Sequence, residues 1–312
     1  MTILRPVLYQ ALLLLTAVAL TGCGGSASPP PGATKRVSAP EVDLGSATED
    51  KQASDAEATE ESTEEASAEE TTGTAEEGGW ATLTGRIVYD GNPPETKPIE
   101  PTKDVEVCGK HEIPDEELIV SSDGGIQNAV IMLRTKDVEV APSYADAAAE
   151  KVVVDNKNCR FEPHVSVVMT GQEVALSNSD PVGHNSKIDP ILNPGINPIL
   201  PAGGEPVVYK FEAAEAVPVP VGCNIHPWMK AYLVVRQDPY AAVSDADGKF
   251  VIKDLPAGKE LEFGLWQENS GYLKNASYNG GKANNRGRFK IKLKPGENDL
   301  GDITVSSSVF NK

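Results

Sequence analysis

From residue 80 onward, about ten short apolar runs alternate with clusters of Gly, Pro, Asn and Asp, and this punctuation restricts the chain to folds built from short strands. Thr82-Leu83-Thr84-Gly85-Arg86-Ile87-Val88-Tyr89, for example, gives way to Asp90-Gly91-Asn92-Pro93-Pro94. Alternation sends one set of side chains to a buried face, and the Gly/Pro cluster ends the strand where the backbone must turn. Equivalent runs cover 128–133, 151–154, 164–169, 173–176, 207–211, 231–236, 249–253, 260–265, 289–293 and 302–305. Strands of this length and spacing predict an all-β sandwich. Only the Ala-rich stretch 144–151 suggests a helical turn, and no heptads or long repeats interrupt the pattern.

The first 79 residues follow a different logic. Arg5 precedes an apolar run over 11–20 that is too short for a comfortable membrane-spanning helix and stops at Thr21-Gly22-Cys23. Leu20-Thr21-Gly22-Cys23 resembles the bacterial lipobox, which implies a signal peptide over 1–22, cleavage before Cys23 and lipidation of that cysteine. An ordinary cleaved signal or an uncleaved anchor is the competing reading. Position 24 is Gly rather than Asp, so the resemblance gives no reason for retention at an inner membrane. Residues 23–79 then read as a disordered acidic linker, because Ser, Pro, Gly, Ala, Thr and Glu supply too little apolar surface to fold. Between Glu41 and Glu77, 14 acidic residues face one basic residue, Lys51, so this stretch carries −13 of the chain's −18. Such a run is a self-repelling spacer or, alternatively, a docking tail for a basic partner. With no basic patch elsewhere, nucleic acid is not an expected partner.

Chemistry concentrates in Gly222-Cys223-Asn224-Ile225-His226-Pro227-Trp228-Met229, which leads into the strand 231–236. A thiol, an imidazole and a thioether fall within seven residues, and a loop that tight between two strands can aim all three at one point. Thiolate, imidazole and a weak axial thioether hold both Cu(I) and Cu(II) with little rearrangement. The equatorial set needs a second imidazole, and His184 supplies one in Asn178-Ser179-Asp180-Pro181-Val182-Gly183-His184-Asn185, after the strand pair 164–169 and 173–176 joined by Thr170-Gly171-Gln172.

These residues carry a resemblance. The stretch from Phe161 to Asn185 is similar to the cupredoxin pattern of strand, Gly turn, strand, Asn-x-Asp and His-Asn, and Cys223, His226 and Met229 match the Cys-x-x-His-Pro-x-Met loop of amicyanin-type and plastocyanin-type blue-copper proteins. The likeness covers roughly residues 160–236, in the expected order. It implies a Greek-key sandwich with one type 1 copper: Cys223 as the short bond, His184 and His226 completing the plane, Met229 as the long axial ligand. It further implies that Asn185 ties the two ligand loops together, that Pro227 stiffens the loop, that Trp228 covers the apolar rim, and that His226 presents its ring edge to solvent as the electron port. Without the metal, Cys223 would be a small buried hydrophobe, Met229 core filler and the histidines satisfied polar groups.

A second resemblance lies at 244–258, where Ser244-Asp245-Ala246-Asp247-Gly248-Lys249 closes a tight hairpin and Leu255-Pro256-Ala257-Gly258 makes the next turn. This stretch is similar to the non-catalytic carboxypeptidase regulatory-like β module, whose first strand would correspond to residues 85–89. The expected division is a copper domain with an N-terminal extension over 80–237 and a second β module over 238–312, with a soft boundary and interleaving of the second module with 80–100 as the variant. The whole arrangement resembles lipoproteins of the methylamine-utilisation type, a likeness that does not establish methylamine oxidation.

With Cys23 and Cys223 assigned, Cys108 and Cys159 remain, either as a disulfide or as two buried thiols. A second metal site using His111 or His164 with these cysteines is the lesser alternative, and four histidines in all leave no set of three for a catalytic copper. The insertion 186–205 carries Ile188, Ile191, Leu192, Ile196, Ile199 and Leu200, read either as a docking rim or as a loop packed on the second module. The sequence therefore predicts a non-enzymatic electron carrier, extracytoplasmic and lipid-anchored to a bacterial membrane, with a dehydrogenase as donor and a cytochrome as acceptor. A non-redox envelope-binding module and a copper storage or delivery protein are the rival readings.

Overall fold

The computed structural model describes residues 78–310; Cys23, the expected signal peptide and nearly all of the expected linker lie outside them. The chain runs through β1 (Trp80–Asp90), a single helical turn α1 (Val105–Cys108), β2 (Val130–Leu133), β3 (Val152–Lys157), β4 (Arg160–Glu162), β5 (Val165–Met169) and β6 (Glu173–Asn178). Short pieces follow: β7 (His184–Asn185), β8 (Lys187–Ile188) and β9 (Ile199–Leu200), then β10 (Val207–Lys210), β11 (Val219–Gly222) and β12 (Lys230–Arg236). The remainder is β13 (Ala241–Val243), β14 (Lys249–Pro256), β15 (Glu260–Gln267), β16 (Gly271–Tyr272), β17 (Ser277–Tyr278), β18 (Gly281–Lys282), β19 (Arg288–Lys292) and β20 (Gly296–Ser306). All the runs predicted as strands from apolar patterning and turn punctuation contain strands, and the Ala-rich stretch holds only 3-10 turns, the end of Pro142–Tyr144 and Ala147–Ala149. No helix among the described residues is long and apolar enough to cross a membrane.

Among the described residues four of the five sheets stack around two cores, and the fifth is the short pair β7-β9. In the first sandwich, β14-β1-β20-β17-β18 faces β13-β2-β15-β16, with β19 paired to β15. Leu83, Ile87 and Ile303 from one sheet meet Ile131, Phe263 and Phe289 from the other. In the second, β10-β6-β3-β4 faces β5-β12-β11-β8, and Val154, Phe161 and Leu176 meet Val168, Leu233 and Val235. β1 pairs in parallel with β20 at the opposite end of the sequence, and β2 pairs with β13 and β15. Residues 80–90 and 130–133 thus join strands of 241–306, not the sheets that carry the proposed ligands, so the strand pairing interleaves much further than residue 100.

The two sandwiches share a wall. β2 reads Val-Ile-Met-Leu with no polar alternation because both of its faces are covered: Ile131 and Leu133 enter the first core, while Val130 and Met132 pack with Val165, Val234 and Trp266 between the sandwiches. β12 is used the same way, with Ala231, Leu233 and Val235 in its own core and Tyr232 and Val234 on the shared wall.

Two turns differ from expectation. Thr170-Gly171-Gln172 joins β5 and β6, which lie in different sheets, so it carries the chain across the sandwich and does not close a hairpin. Gln172 fixes it by accepting from the Met169 amide and donating to the Ala147 and Glu150 carbonyls. The Asp245–Lys249 turn likewise passes from β13 to β14 in the facing sheet. Gly248 sits there at φ 81°, and a Cβ would lie 2.5 Å from the Ile87 carbonyl oxygen.

Candidate metal centre

His184 stands on β7, and Cys223, His226 and Met229 lie on the loop between β11 and β12. Antiparallel pairing at Gly222 with Lys230 closes the base of that loop, and inside it the Met229 amide donates to the His226 carbonyl. β7 is held in register by β9, with His184 opposite Leu200. The four side chains come from one end of one sandwich and all are buried: His184 and His226 are 0% exposed, Met229 1% and Cys223 3%.

Three donor atoms converge. Cys223 Sγ is 4.0 Å from His184 Nδ1 and 3.8 Å from His226 Nδ1, and the two Nδ1 atoms are 2.9 Å apart. A point equidistant from these three atoms is about 2.1 Å from each, against roughly 2.0–2.1 Å for nitrogen and 2.3 Å for sulfur around a tetrahedral first-row ion. The far side of each ring is tied down: His184 Nε2 lies 3.0 Å from Asp180 Oδ2 and His226 Nε2 lies 2.8 Å from Asp104 Oδ2. A carboxylate can only accept, so both Nε2 atoms carry the proton and both Nδ1 lone pairs face each other. Nitrogens placed in that way require a shared cation, a proton or a metal ion. The donor set therefore fits copper: one thiol, two imidazoles in the tautomer a metal needs, and a thioether buried at the end of the same loop.

The electrostatics agree with that reading. Burial alone would raise the Cys223 thiol, but hydrogen bonding to His184 and to the Asn185, His226 and Ile225 backbones outweighs it and holds the pKa below that of a free thiol. Burial also opposes charge on His184, yet Asp180 and Cys223 raise it to about 9. His226 moves the other way, depressed by burial and by the neighbouring His184 against the pull of Asp104.

Asn185 sits where the two ligand segments meet. Its Oδ1 accepts from the Asn224 amide at 2.8 Å and the Ile225 amide at 3.2 Å and lies 3.5 Å from Cys223 Sγ, while its Nδ2 donates to Asn197 Oδ1 at 2.6 Å. Trp228 packs on His226, with ring centroids 5.1 Å apart, and its indole donates to the Cys159 carbonyl. Pro227 follows His226 in the turn.

The solvent-facing port expected at His226 is corrected by the structure. Its ring is fully covered because Asp104, at the start of α1, takes its Nε2–H. Cys108 and Cys159 form a disulfide, so neither can bind a second metal; Cys159, Asp180 and His184 also converge, but there the sulfur is already bonded. His164 is engaged with Glu116 and Glu268 instead. The insertion packs Ile188 and Leu200 into the core of its own sandwich, not onto the other module, and leaves Ile191, Leu192 and Ile199 exposed. Sequence reasoning missed Asp104, Asp180 and Glu215, the last of which accepts from the Ile191 and Leu192 amides. Of these only Asp180 carried a signal, its position four residues before His184.

No protein-family model matches the chain, and no curated protein does. Among solved structures it is similar to a Cu-containing nitrite reductase from Thermus scotoductus SA-01 (23% identity, 28% of this chain and 22% of that one, TM-score 0.25). It is also similar to a purple cupredoxin from Nitrosopumilus maritimus (23%, 28% and 98%, 0.23) and to amicyanin from Paracoccus versutus (17%, 34% and 97%, 0.25). The chain therefore spans less than a quarter of the reductase and nearly all of the two small copper proteins. At these TM-scores the likenesses are partial, and the chemistry of the centre rests on its own distances.

Proposed function

We propose that this chain is an extracytoplasmic electron-transfer protein that cycles Cu(I)/Cu(II) at one type 1 site formed by His184, Cys223, His226 and Met229, without turning over a substrate. The observation that carries the reading is the triangle of Cys223 Sγ, His184 Nδ1 and His226 Nδ1 with both Nε2 atoms bound to carboxylates. Bound copper would supply a one-electron couple whose two oxidation states tolerate the same thiolate, imidazole and thioether donors. Cys223 provides the anionic donor, His184 and His226 hold their lone pairs inward, and Asn185 keeps the two ligand segments in one arrangement by accepting both loop amides. Burial of all four ligands excludes water from the site. The Cys108–Cys159 disulfide supports an oxidising compartment. Anchorage through Cys23, a dehydrogenase donor and a cytochrome acceptor complete the proposal. Copper storage or delivery is favoured by one observation, the fully buried His226, which removes the exposed edge that direct exchange would use.

Copper titration of the purified chain tests the reading. One equivalent should produce an intense visible thiolate-to-copper band and a reversible one-electron couple, both lost in Cys223→Ser. Stoichiometric copper without that band refutes it, and tight Cu(I) binding without reversible oxidation favours storage.

A further inference from the structure

We infer that Asp104 is a positioning residue for the copper centre: delivered by a disulfide-pinned loop, its carboxylate takes the Nε2–H of His226, fixes Nδ1 as the metal-facing nitrogen and closes the ring edge to water. This rests on the copper reading above.

The loop spans residues 99–113 and is anchored independently of His226. Its base is closed by the Ile99 amide donating to the Ile113 carbonyl at 2.7 Å and by the bridge between Pro98 and Pro114. Its tip is fixed by the Cys108–Cys159 bond, around which Ile99, Val107, Ile113 and Trp228 pack. Asp104 is thus brought to the ring by covalent and apolar restraints, and the 2.8 Å contact is a consequence of where the loop already lies.

The residue gives up its ordinary role to make that contact. An Asp at the N-cap of a helical turn normally accepts from the amides of the first turn. Asp104 occupies that position before α1, at φ 46° and ψ 42°, and makes no such side-chain bond; its backbone carbonyl accepts the Val107 and Cys108 amides, as an N-cap carbonyl does, and its carboxylate is left for His226. This left-handed backbone, uncommon outside Gly, Asn and Asp, turns the side chain away from the helix and toward His226.

The disulfide braces both ligand histidines. Cys108 lies four residues beyond Asp104, while the Cys159 and Asn158 amides donate to Asp180, the carboxylate that holds His184. One covalent bond therefore joins the segments that orient the two imidazoles. A carboxylate on the far nitrogen raises the basicity of a ligand imidazole and restricts its rotation, which favours the more highly charged metal state.

The test uses the full chain with Asp104→Gly, which accepts the left-handed backbone and removes the carboxylate, and Asp104→Asn, which keeps shape and an acceptor but not the charge. Glu106→Gln, on the exposed side of α1, is the control. In the copper-loaded chain, Asp104→Gly should shift the ratio of Cu(II) to Cu(I) affinities at least tenfold toward Cu(I), a rise of about 59 mV in midpoint potential. Asp104→Asn should give a smaller rise and Glu106→Gln none. In the metal-free chain, nitrogen-15 NMR should show the His226 Nε2–H exchanging with water at least tenfold faster in Asp104→Gly. An unchanged potential overturns the assignment whatever the exchange rate. If the wild-type chain takes up no copper, the functional reading fails and the exchange rate alone decides: unchanged, Asp104 does not hold the ring; tenfold faster, it does.

Discussion

Raising the pH should loosen the wall between the two sandwiches through His164. The residue immediately precedes β5 and is almost wholly buried, with Nε2 2.6 Å from Glu268 Oε2 after β15 and Nδ1 3.6 Å from Glu116 Oε2 on the segment before β2. Arg160 shares Glu116 at 3.2 Å, and Tyr232 donates to Glu268 at 3.2 Å. Burial disfavours the imidazolium, but the two carboxylates outweigh it and raise its pKa from 6.5 to about 9. The folded chain therefore holds a proton that the unfolded chain releases near 6.5. The resulting stabilisation is complete below that pH, declines as pH rises through the window and is gone above about 9. A shift of this size corresponds to roughly 3 kcal/mol at most, since each pH unit is worth about 1.4 kcal/mol.

His164→Gln keeps a donor and removes the charge. At pH 6 the metal-free variant should be less stable than wild type by about 1–3 kcal/mol, a cost that includes leaving the part-buried Glu268 carboxylate without a counter-charge, whereas Glu116 keeps Arg160. The assay is urea unfolding of both chains at pH 6 and pH 9.5. The gap should shrink severalfold at the higher pH, because wild type has by then lost its proton. Subtracting the variant removes the contribution of other groups that titrate in the same range. An equal gap at both pH values would refute the linkage and leave His164 as a packing residue only.

Two further perturbations follow from the centre. Asn185→Ala strips the acceptor from two part-buried loop amides, and at about 0.5–1.5 kcal/mol for each hydrogen bond lost the cost should be roughly 1–3 kcal/mol, read as a fall of several degrees in the thermal midpoint of the metal-free chain. Joint replacement of Cys108 and Cys159 by Ser opens a loop of 51 residues and should cost about 4 kcal/mol, with faster backbone hydrogen exchange over 99–113 as the local signature. A double variant as stable as wild type would show the loop to be held by packing alone.

The strands and the cluster of candidate ligands stood out for different reasons. Alternation in 82–89 or 249–253 reflects one buried face and survives any topology. Cys223, His226 and Met229 stood out because three soft donors in seven residues have few other uses. Sheet membership was legible only in part: the resemblance at 244–258 drew residues 85–89 toward the second module, but nothing local to Trp80–Asp90 states that its parallel partner is Gly296–Ser306, and β2, buried on both faces, carries no alternation at all. The carboxylates around the histidines escaped because contacts over large sequence separations leave no local mark. Asp104 is 122 residues from His226 and Glu268 is 104 from His164, and each reads as ordinary solvated charge until the fold buries its partner. The supposed port at His226 failed for the same reason, since the loop that covers it lies outside the 160–236 stretch on which the resemblance was drawn.

The way the centre is mounted bears on what it can do. The loop of candidate ligands ends on β12, whose two faces are both occupied, Leu233 and Val235 in one core and Tyr232 and Val234 against β2 and Trp266. A strand packed on both sides cannot slide without opening two interfaces, so the Gly222–Lys230 base of the loop is fixed by residues that never touch the metal site. His184 is fixed separately, by the β7–β9 pair and by Asp180, whose own acceptors are filled by Asn158 and Cys159. The two mounts are joined by Asn185, by the pairing of β8 with β11 at Ile188–Val221 and Lys187–Gly222, and at the donor atoms. In such an arrangement the spacing of Cys223, His184 and His226 is set by the surrounding sheets, so a change of charge at their centre has little structure left to move, the condition that one-electron exchange requires.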